Sequence, residues 1–328
     1  MRKTPAHPLA ASRFFPGHRT FFRQASALVL VLCLAHVLFL SQPARAADPS
    51  PQALAQFLRK VDEHNARYGW KDIRCGEVNW EYHRTTQNRH PLIFARFGQP
   101  SGNCILFLGG VHGDELPTIY LMFKLADFLK RNPDAVGNHC VVIAPLVNPD
   151  GYLRLQPTRV NANGVDINRN FPTRRWHPDA HRQWQAKGKK NGRYYPGSKA
   201  ASEQETLFQA ALIRRFQPQK ILSVHSPLNF FDYDGPSTDL DSFEKWMEKM
   251  SRETRHPLKK FGVYPGSLGN YAGNERGIFT LTLELPTSDP RHSAGYFAKF
   301  QSAFLKFVAL PLTGAPPHTR LMQSGKGQ

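Results

Sequence analysis

Cys104-Ile105-Leu106-Phe107-Leu108-Gly109-Gly110-Val111-His112-Gly113-Asp114-Glu115 decides the fold of this chain. Five apolar residues follow one another without alternation, then two glycines and a polar cluster. A continuous apolar run bounded by glycine marks a strand buried on both faces, as in a parallel sheet covered by helices. Working outward, Cys140–Val147, Lys220–Val224 and Ile278–Leu285 repeat the pattern. Helical spacing is expected over 51–68, 115–132, 202–216, 240–254 and 293–309. Ser202-Glu203-Gln204-Glu205 has capping-box spacing at the start of the third of these. The stripe Tyr296, Phe297, Phe300, Phe304 and Phe307 in the last reads as core packing. Val78–Arg84 and Leu92–Phe97 read as two further strands around a polar turn. Strands alternating with helices give an α/β fold: a single domain with a mixed, largely parallel twisted sheet flanked by helices.

The full chain has 328 residues, of which 41% are hydrophobic and 21% charged. That balance excludes general disorder and collagen-like repeats. A formal charge of +18 points to an acidic partner such as a nucleic acid, an anionic membrane or an anionic polymer. Residues 1–46 carry Arg2, Lys3, Arg13, Arg19, Arg23 and Arg45 and no acid. An apolar run, Ala25 to Leu40, then leads to Ala44-Arg45-Ala46. This is the layout of a secretory signal peptide, and the run is short for a membrane span. Cleavage after Ala46 is expected, leaving a catalytic domain over 47–312, a flexible tail over 313–328 and no stable membrane span. An uncleaved N-terminal anchor is the competing expectation. Four cysteines are too few for a disulfide scaffold, but export permits one bridge. Cys104 and Cys140 each lie eight residues before a strand-end motif, so they start level if their strands are parallel neighbours. Cys75 is the rival partner.

Each central run ends in a polar motif. His112 and Glu115 follow the first, Asn148-Pro149-Asp150-Gly151 the second and His225-Ser226 the third, with Glu284 near the end of the fourth. Ligands of open α/β sheets bind beyond the carboxyl ends of strands, so the motifs point to one site. Zinc takes nitrogen and oxygen ligands, and a catalytic site usually has three from the protein. His112, Glu115 and His225 make such a set. Arg169 and Asn168 can grip a carboxylate. Arg159 can stabilise an oxyanion, with Arg154 as its rival.

The order His112-x-x-Glu115, Asn148-Pro149-Asp150-Gly151, Gly164-Val165-Asp166-Ile167-Asn168-Arg169-Asn170-Phe171, Ser202-Glu203, His225-Ser226 and Thr282-Leu283-Glu284-Leu285 resembles the zinc carboxypeptidase (carboxypeptidase A-like) family. The resemblance covers roughly residues 100–290. It implies one zinc held by His112, Glu115 and His225, Asn168 and Arg169 on the substrate carboxylate, Arg159 on the oxyanion and Glu284 as general base. Gly109-Gly110-Val111-His112-Gly113-Asp114-Glu115 and Gly266-Ser267-Leu268-Gly269-Asn270-Tyr271-Ala272-Gly273 are most similar to the murein peptide amidase-like branch. That branch implies cleavage of the γ-D-glutamyl–diaminopimelate bond in cell-wall peptides, by a periplasmic or secreted enzyme. The family's mobile tyrosine is expected just before Gly277-Ile278, where this chain reads Asn274-Glu275-Arg276; Tyr271 stays unassigned. Two other functions compete. One is a zinc amidohydrolase of the aspartoacylase or succinylglutamate desuccinylase kind; the other is a non-catalytic wall-binding protein.

Two features bear on the substrate. Asp232 or Asp234 could meet an amine of diaminopimelate, or either could cap a turn. Residues 173–193 hold Arg174, Arg175, Arg182, Lys187, Lys189, Lys190 and Arg193 against one acid, Asp179. They are expected to form a loop that flanks the cleft and attracts carboxylate-rich murein. No zinc-finger or RNA-binding signature accompanies the basic and aromatic residues there, so no nucleic-acid partner is expected.

Overall fold

A computed structural model describes residues 50–236, 241–260, 262 and 264–312. The expected signal peptide, 1–46, and tail, 313–328, lie outside the described residues. Seven strands form one sheet: β1 (Glu81–Thr85), β2 (Pro91–Gly98), β3 (Cys104–Leu108), β4 (Cys140–Ala144), β5 (Lys220–His225), β6 (Phe230–Gly235) and β7 (Phe279–Glu284). Their order is β1-β2-β4-β3-β5-β7-β6. β4, β3, β5 and β7 run parallel at the centre, while β1, β2 and β6 add antiparallel edges. The four continuous apolar runs are therefore the four central strands.

Alternate residues of β3 divide the interior into two layers. Ile105 and Phe107 enter one core with the helices Pro51–Ala66, Leu116–Arg131, Asp241–Thr254 and Ser293–Ala309. There Phe304 and Phe307 meet Phe107 edge-on. Cys104, Leu106 and Leu108 face the other core, which holds Phe208, Leu212 and Ile213 of helix Gln204–Phe216 together with Ile167, Phe171 and Ala272. Burial on both faces is what removes the alternation from these strands. Among the described residues no helix is long and apolar enough to cross a membrane.

The structure corrects several boundaries. The first strand begins at Glu81, because Cys75–Glu77 turn as a short 3₁₀ helix. β4 stops at Ala144 because Pro145 has no N–H to donate to a ladder. The expected capping box does not form: the Ser202 hydroxyl donates to Glu203, and Glu205 is buried and accepts from Asn161. The basic segment is not a plain loop, since Trp176–Ala186 is helical. Its buried Trp176 and Ala180 supply an apolar face. β6 was not anticipated; Asp232 and Asp234 interrupt its apolar pattern.

Cys104 and Cys140 sit opposite each other in the β3–β4 register and are disulfide-bonded. Cys75 is a buried free thiol.

Candidate metal centre and substrate cavity

The carboxyl ends of the parallel strands open into a cavity of about 450 Å³, lined by His112, Glu115, Arg159, Asn168, Arg169, His225 and Glu284 among others. All seven residues expected from the sequence meet there. Arg154, the rival to Arg159, is exposed and does not line it.

Glycine makes the first loop fit. A Cβ at Gly113 would lie 2.3 Å from the Gly151 carbonyl carbon, so the loop carrying His112 seats directly on the Asn148–Gly151 turn. Asn148 caps that turn by accepting from the Gly151 N–H at 2.9 Å. Its amide donates to the Arg159 carbonyl at 3.0 Å, and its backbone N–H to the Gly110 carbonyl. Asp150 turns away and accepts from Thr86 and from the Asn88 N–H in the β1–β2 turn. The Asn-Pro-Asp-Gly motif thus positions the site rather than entering it.

His112, Glu115 and His225 are all buried, and their donor atoms lie within 4.8 Å of one another. His112 Nδ1 is 2.7 Å from Glu115 Oε1, and His225 Nδ1 is 2.9 Å from Glu115 Oε2. The two Nδ1 atoms are 3.2 Å apart. Their outer nitrogens are held from behind, His112 Nε2 by Asp166 at 3.1 Å and His225 Nε2 by Ser223 at 3.0 Å. Lone pairs converging on one point, with partners fixing each ring, are the outer and inner parts of a metal site. Two nitrogens and a carboxylate are a zinc donor set, so the residues fit that ion. Burial alone would raise the Glu115 carboxyl; the two imidazoles override it and hold it below the usual range.

Asp166 is the residue that motif reading left without a role. It is fully buried and accepts from Arg159 Nε at 3.0 Å and Nη2 at 2.9 Å, and from the Asn168 N–H at 3.0 Å. It therefore links His112, Arg159 and the Asn168–Arg169 pair. Burial opposes its charge, yet Arg159 and then His112 hold its carboxyl well below the usual range. Arg159 Nη1 also reaches within 3.3 Å of Glu115, and its guanidinium lies over Tyr194.

Asn168 accepts from the Leu268 N–H at 2.8 Å, which fixes its amide. Arg169 is locked by Trp176, whose Nε1 donates to the Arg169 carbonyl at 2.8 Å. Gly266, at φ 78°, lies so near that a Cβ would sit 2.1 Å from that carbonyl oxygen. Tyr264 stacks on the Arg169 guanidinium at 4.3 Å and lines the cavity. Tyr271 does not; it is buried against Phe171 under Arg276. Tyr264, seven residues upstream of Tyr271, thus lines the site together with Tyr194, and its Tyr-Pro-Gly turn was the available signal.

Glu284 ends β7, in register with His225 of β5. Its Oε2 accepts from the Leu228 N–H at 3.4 Å. Burial raises its carboxyl, His225 partly offsets this and Glu115 adds to it. The far wall comes from the basic segment: Ala180, Gln183, Trp184, Lys187, Arg193 and Tyr194 line the cavity. Arg193 ties that wall to the metal loop by a 2.7 Å ion pair with Asp114.

A family model described as zinc carboxypeptidase matches residues 81–299. Murein peptide amidase A of Vibrio campbellii is 33% identical over 200 residues, which are 60% of this chain and 75% of that protein. The crystal structure of the murein-tripeptide amidase of Escherichia coli O157 aligns with a TM-score of 0.53 at 26% identity, over 72% of this chain and 94% of that one. Carboxypeptidase A of Helicoverpa armigera shares the fold, with a TM-score of 0.56 at 16% identity over 87% of this chain and 81% of that one.

Proposed function

This chain belongs to the zinc carboxypeptidase family, and from that premise we propose that it is an exported enzyme hydrolysing the γ-D-glutamyl–diaminopimelate bond of murein peptides. The observation that carries the proposal is the meeting, in one cavity, of a His/Glu/His donor set, a half-buried carboxylate on the next strand end and an Asn/Arg pair. The similarity to murein peptide amidase A supports the substrate class, and the basic N-terminal segment supports export to the periplasm or beyond.

His112, Glu115 and His225 would hold the zinc. When bound, zinc polarises a scissile carbonyl and lowers the pKa of a coordinated water. Glu284 takes the proton of the attacking water and returns it to the leaving amine. Its apolar strand keeps the carboxyl poised by raising its proton affinity. Arg159, fixed by Asp166 on one edge, offers Nη1 to the carbonyl oxygen as charge develops. Asn168 and Arg169 hold the carboxylate of the residue to be released, with Tyr264 closing over the guanidinium. The donor set with Glu284 in place disfavours a non-catalytic wall-binding protein. The Asn/Arg pair and a cavity of about 450 Å³ favour a peptidase over an amidohydrolase for small N-acyl amino acids.

The deciding experiment is product identification. Incubation with L-alanyl-γ-D-glutamyl-diaminopimelate should release free diaminopimelate, detected by mass. Intact tripeptide under conditions where the protein carries one zinc would refute the substrate assignment.

A further inference from the structure

The wall supplied by residues 180–196 carries charge that the mechanism leaves unused. Ala180, Gln183, Trp184 and Lys187 line the cavity at helical spacing. One face of the helix Trp176–Ala186, with the lysine that caps it, therefore looks into the site. That wall is held in place from several sides. His181 meets Trp176, Trp184 and Tyr195 edge-on, and Trp184 Nε1 donates to the Asn191 carbonyl at 2.8 Å. The Asp166 N–H donates to the Tyr195 carbonyl at 2.8 Å. Arg193 Nη1 donates to Asp114 at 2.7 Å, on the loop between His112 and Glu115. Tyr194 lies under the Arg159 guanidinium at 5.3 Å. Arg193 and Tyr194 thus stand beside the metal loop and Arg159.

This wall brings Lys187 and Arg193 to the cavity and no acid. Among the described residues Lys187 enters no ion pair, and Arg193 uses one guanidinium nitrogen on Asp114. The other Lys and Arg residues of the lining are Arg159 and Arg169, which already have partners in the reaction. A γ-linked glutamyl residue gives its side-chain carboxyl to the amide and keeps its α-carboxylate free. That anion stands about 5 Å from the scissile carbonyl carbon along an extended chain. With the released residue's carboxylate at Asn168 and Arg169, this second carboxylate has no partner in the steps derived above.

We propose that Lys187 and Arg193 form a subsite for a free carboxylate on the acyl side of the scissile bond. This rests on the hydrolase reading above and deepens it: the enzyme selects an acyl residue that carries a second carboxylate and rejects the same residue once that group is amidated. Arg193 supplies the directional fork and Lys187 a mobile point charge.

The test uses two substrates that differ only at that group, L-alanyl-γ-D-glutamyl-diaminopimelate and its α-carboxamide, L-alanyl-D-isoglutaminyl-diaminopimelate. Binding of the acyl products, L-alanyl-D-glutamate and L-alanyl-D-isoglutamine, is measured in parallel by calorimetry on the zinc-loaded protein. The wild type should favour the carboxylate by about 10-fold or more in kcat/KM and in affinity. The preference should shrink as salt is raised. Lys187→Gln and Arg193→Gln should each reduce it, and the double variant should bring it close to unity by slowing the carboxylate substrate alone. Arg193→Lys should keep part of it. Each ratio comes from one preparation, so a change in zinc content or folded fraction cancels. Equal treatment of the two compounds by the wild type, or a preference that survives the double variant, overturns the inference. A carboxylate preference in calorimetry with neither substrate cleaved overturns the bond assignment instead and leaves the subsite standing.

Discussion

Replacing Asp166 with asparagine keeps the shape of a buried side chain and deletes its charge, so it tests whether one carboxylate coordinates three parts of the site. Asp166 meets His112 Nε2 at 3.1 Å, two nitrogens of Arg159 and the Asn168 N–H. Losing an anionic partner behind a metal-binding histidine typically costs about 10–100-fold in metal affinity. Arg159 would lose both bonds to Asp166 and keep its contacts with His112 at 3.1 Å, Glu115 at 3.3 Å and the Tyr194 ring. A buried ion pair broken from one side costs about 3 kcal/mol or somewhat more, because the remaining charge stays buried. In a domain of this size that lowers the melting temperature by roughly 6–10 °C. Zinc affinity would be read by competition with a chromophoric chelator, stability by thermal unfolding, and catalysis as kcat/KM on the tripeptide. All three should fall in Asp166→Asn. A variant with wild-type zinc affinity and wild-type kcat/KM would refute the role given to Asp166.

Four further outcomes are expected. Glu284→Gln should retain one zinc by elemental analysis and lose about 10²–10⁴-fold in kcat; full activity would remove Glu284 from the base role. Glu205 sits buried with its Oε1 unpaired, and burial raises its carboxyl to about 7. Its contribution is then fully present below the ordinary value near 4.5 and is lost as pH rises through about 7. Glu205→Gln should accordingly be up to about 3 kcal/mol more stable than wild type at pH 8 and equal to it at pH 4 by urea unfolding; a constant difference across that window would be the contrary result. Reducing Cys104–Cys140, a bridge spanning 36 residues, should lower stability by about 4 kcal/mol on the chain-entropy model, and a reduced protein with an unmoved urea midpoint would contradict it. Changing Arg174, Lys189 and Lys190, all exposed on the basic segment, to glutamine should weaken sedimentation with isolated cell walls at low salt; unchanged binding would reject the proposed attraction to murein.

Much of the fold was legible because the central strands advertise their burial. Cys104–Leu108 needs no neighbour to reveal itself as a two-sided core strand. The helix Ser293–Ala309 was equally plain, since its phenylalanines recur at helical spacing and three of them are fully buried. β6 was hidden because half of it faces the cavity: Asp232 and Asp234 serve a polar surface that hydropathy cannot distinguish from solvent. The helix Trp176–Ala186 was hidden by the basic residues that flank it, Arg174 and Arg175 before and Lys187, Lys189 and Lys190 after, and by Pro178 in its first turn. Ser202 and Glu205 show the opposite error, in which a correct local spacing was overridden by a buried tertiary partner, Asn161.

The sequence by itself determined the kinds of atoms available and the elements that carry them. Two imidazoles and a carboxylate at strand ends, an Asn-Arg pair and a glutamate in an apolar strand already specified a metal-dependent hydrolytic chemistry. Only the tertiary structure decided which polar residues stand behind or beside those groups. Asp166 reaches His112 across 54 residues, and Asp234 reaches Thr282 across 48. Periodicity reports only whether a side chain meets water or apolar neighbours. The strand order β4-β3-β5-β7-β6 and the register shift in β6 set the distances between residues remote in the chain. Those distances made Tyr264 the aromatic partner of Arg169 and set Asp234 beside Thr282.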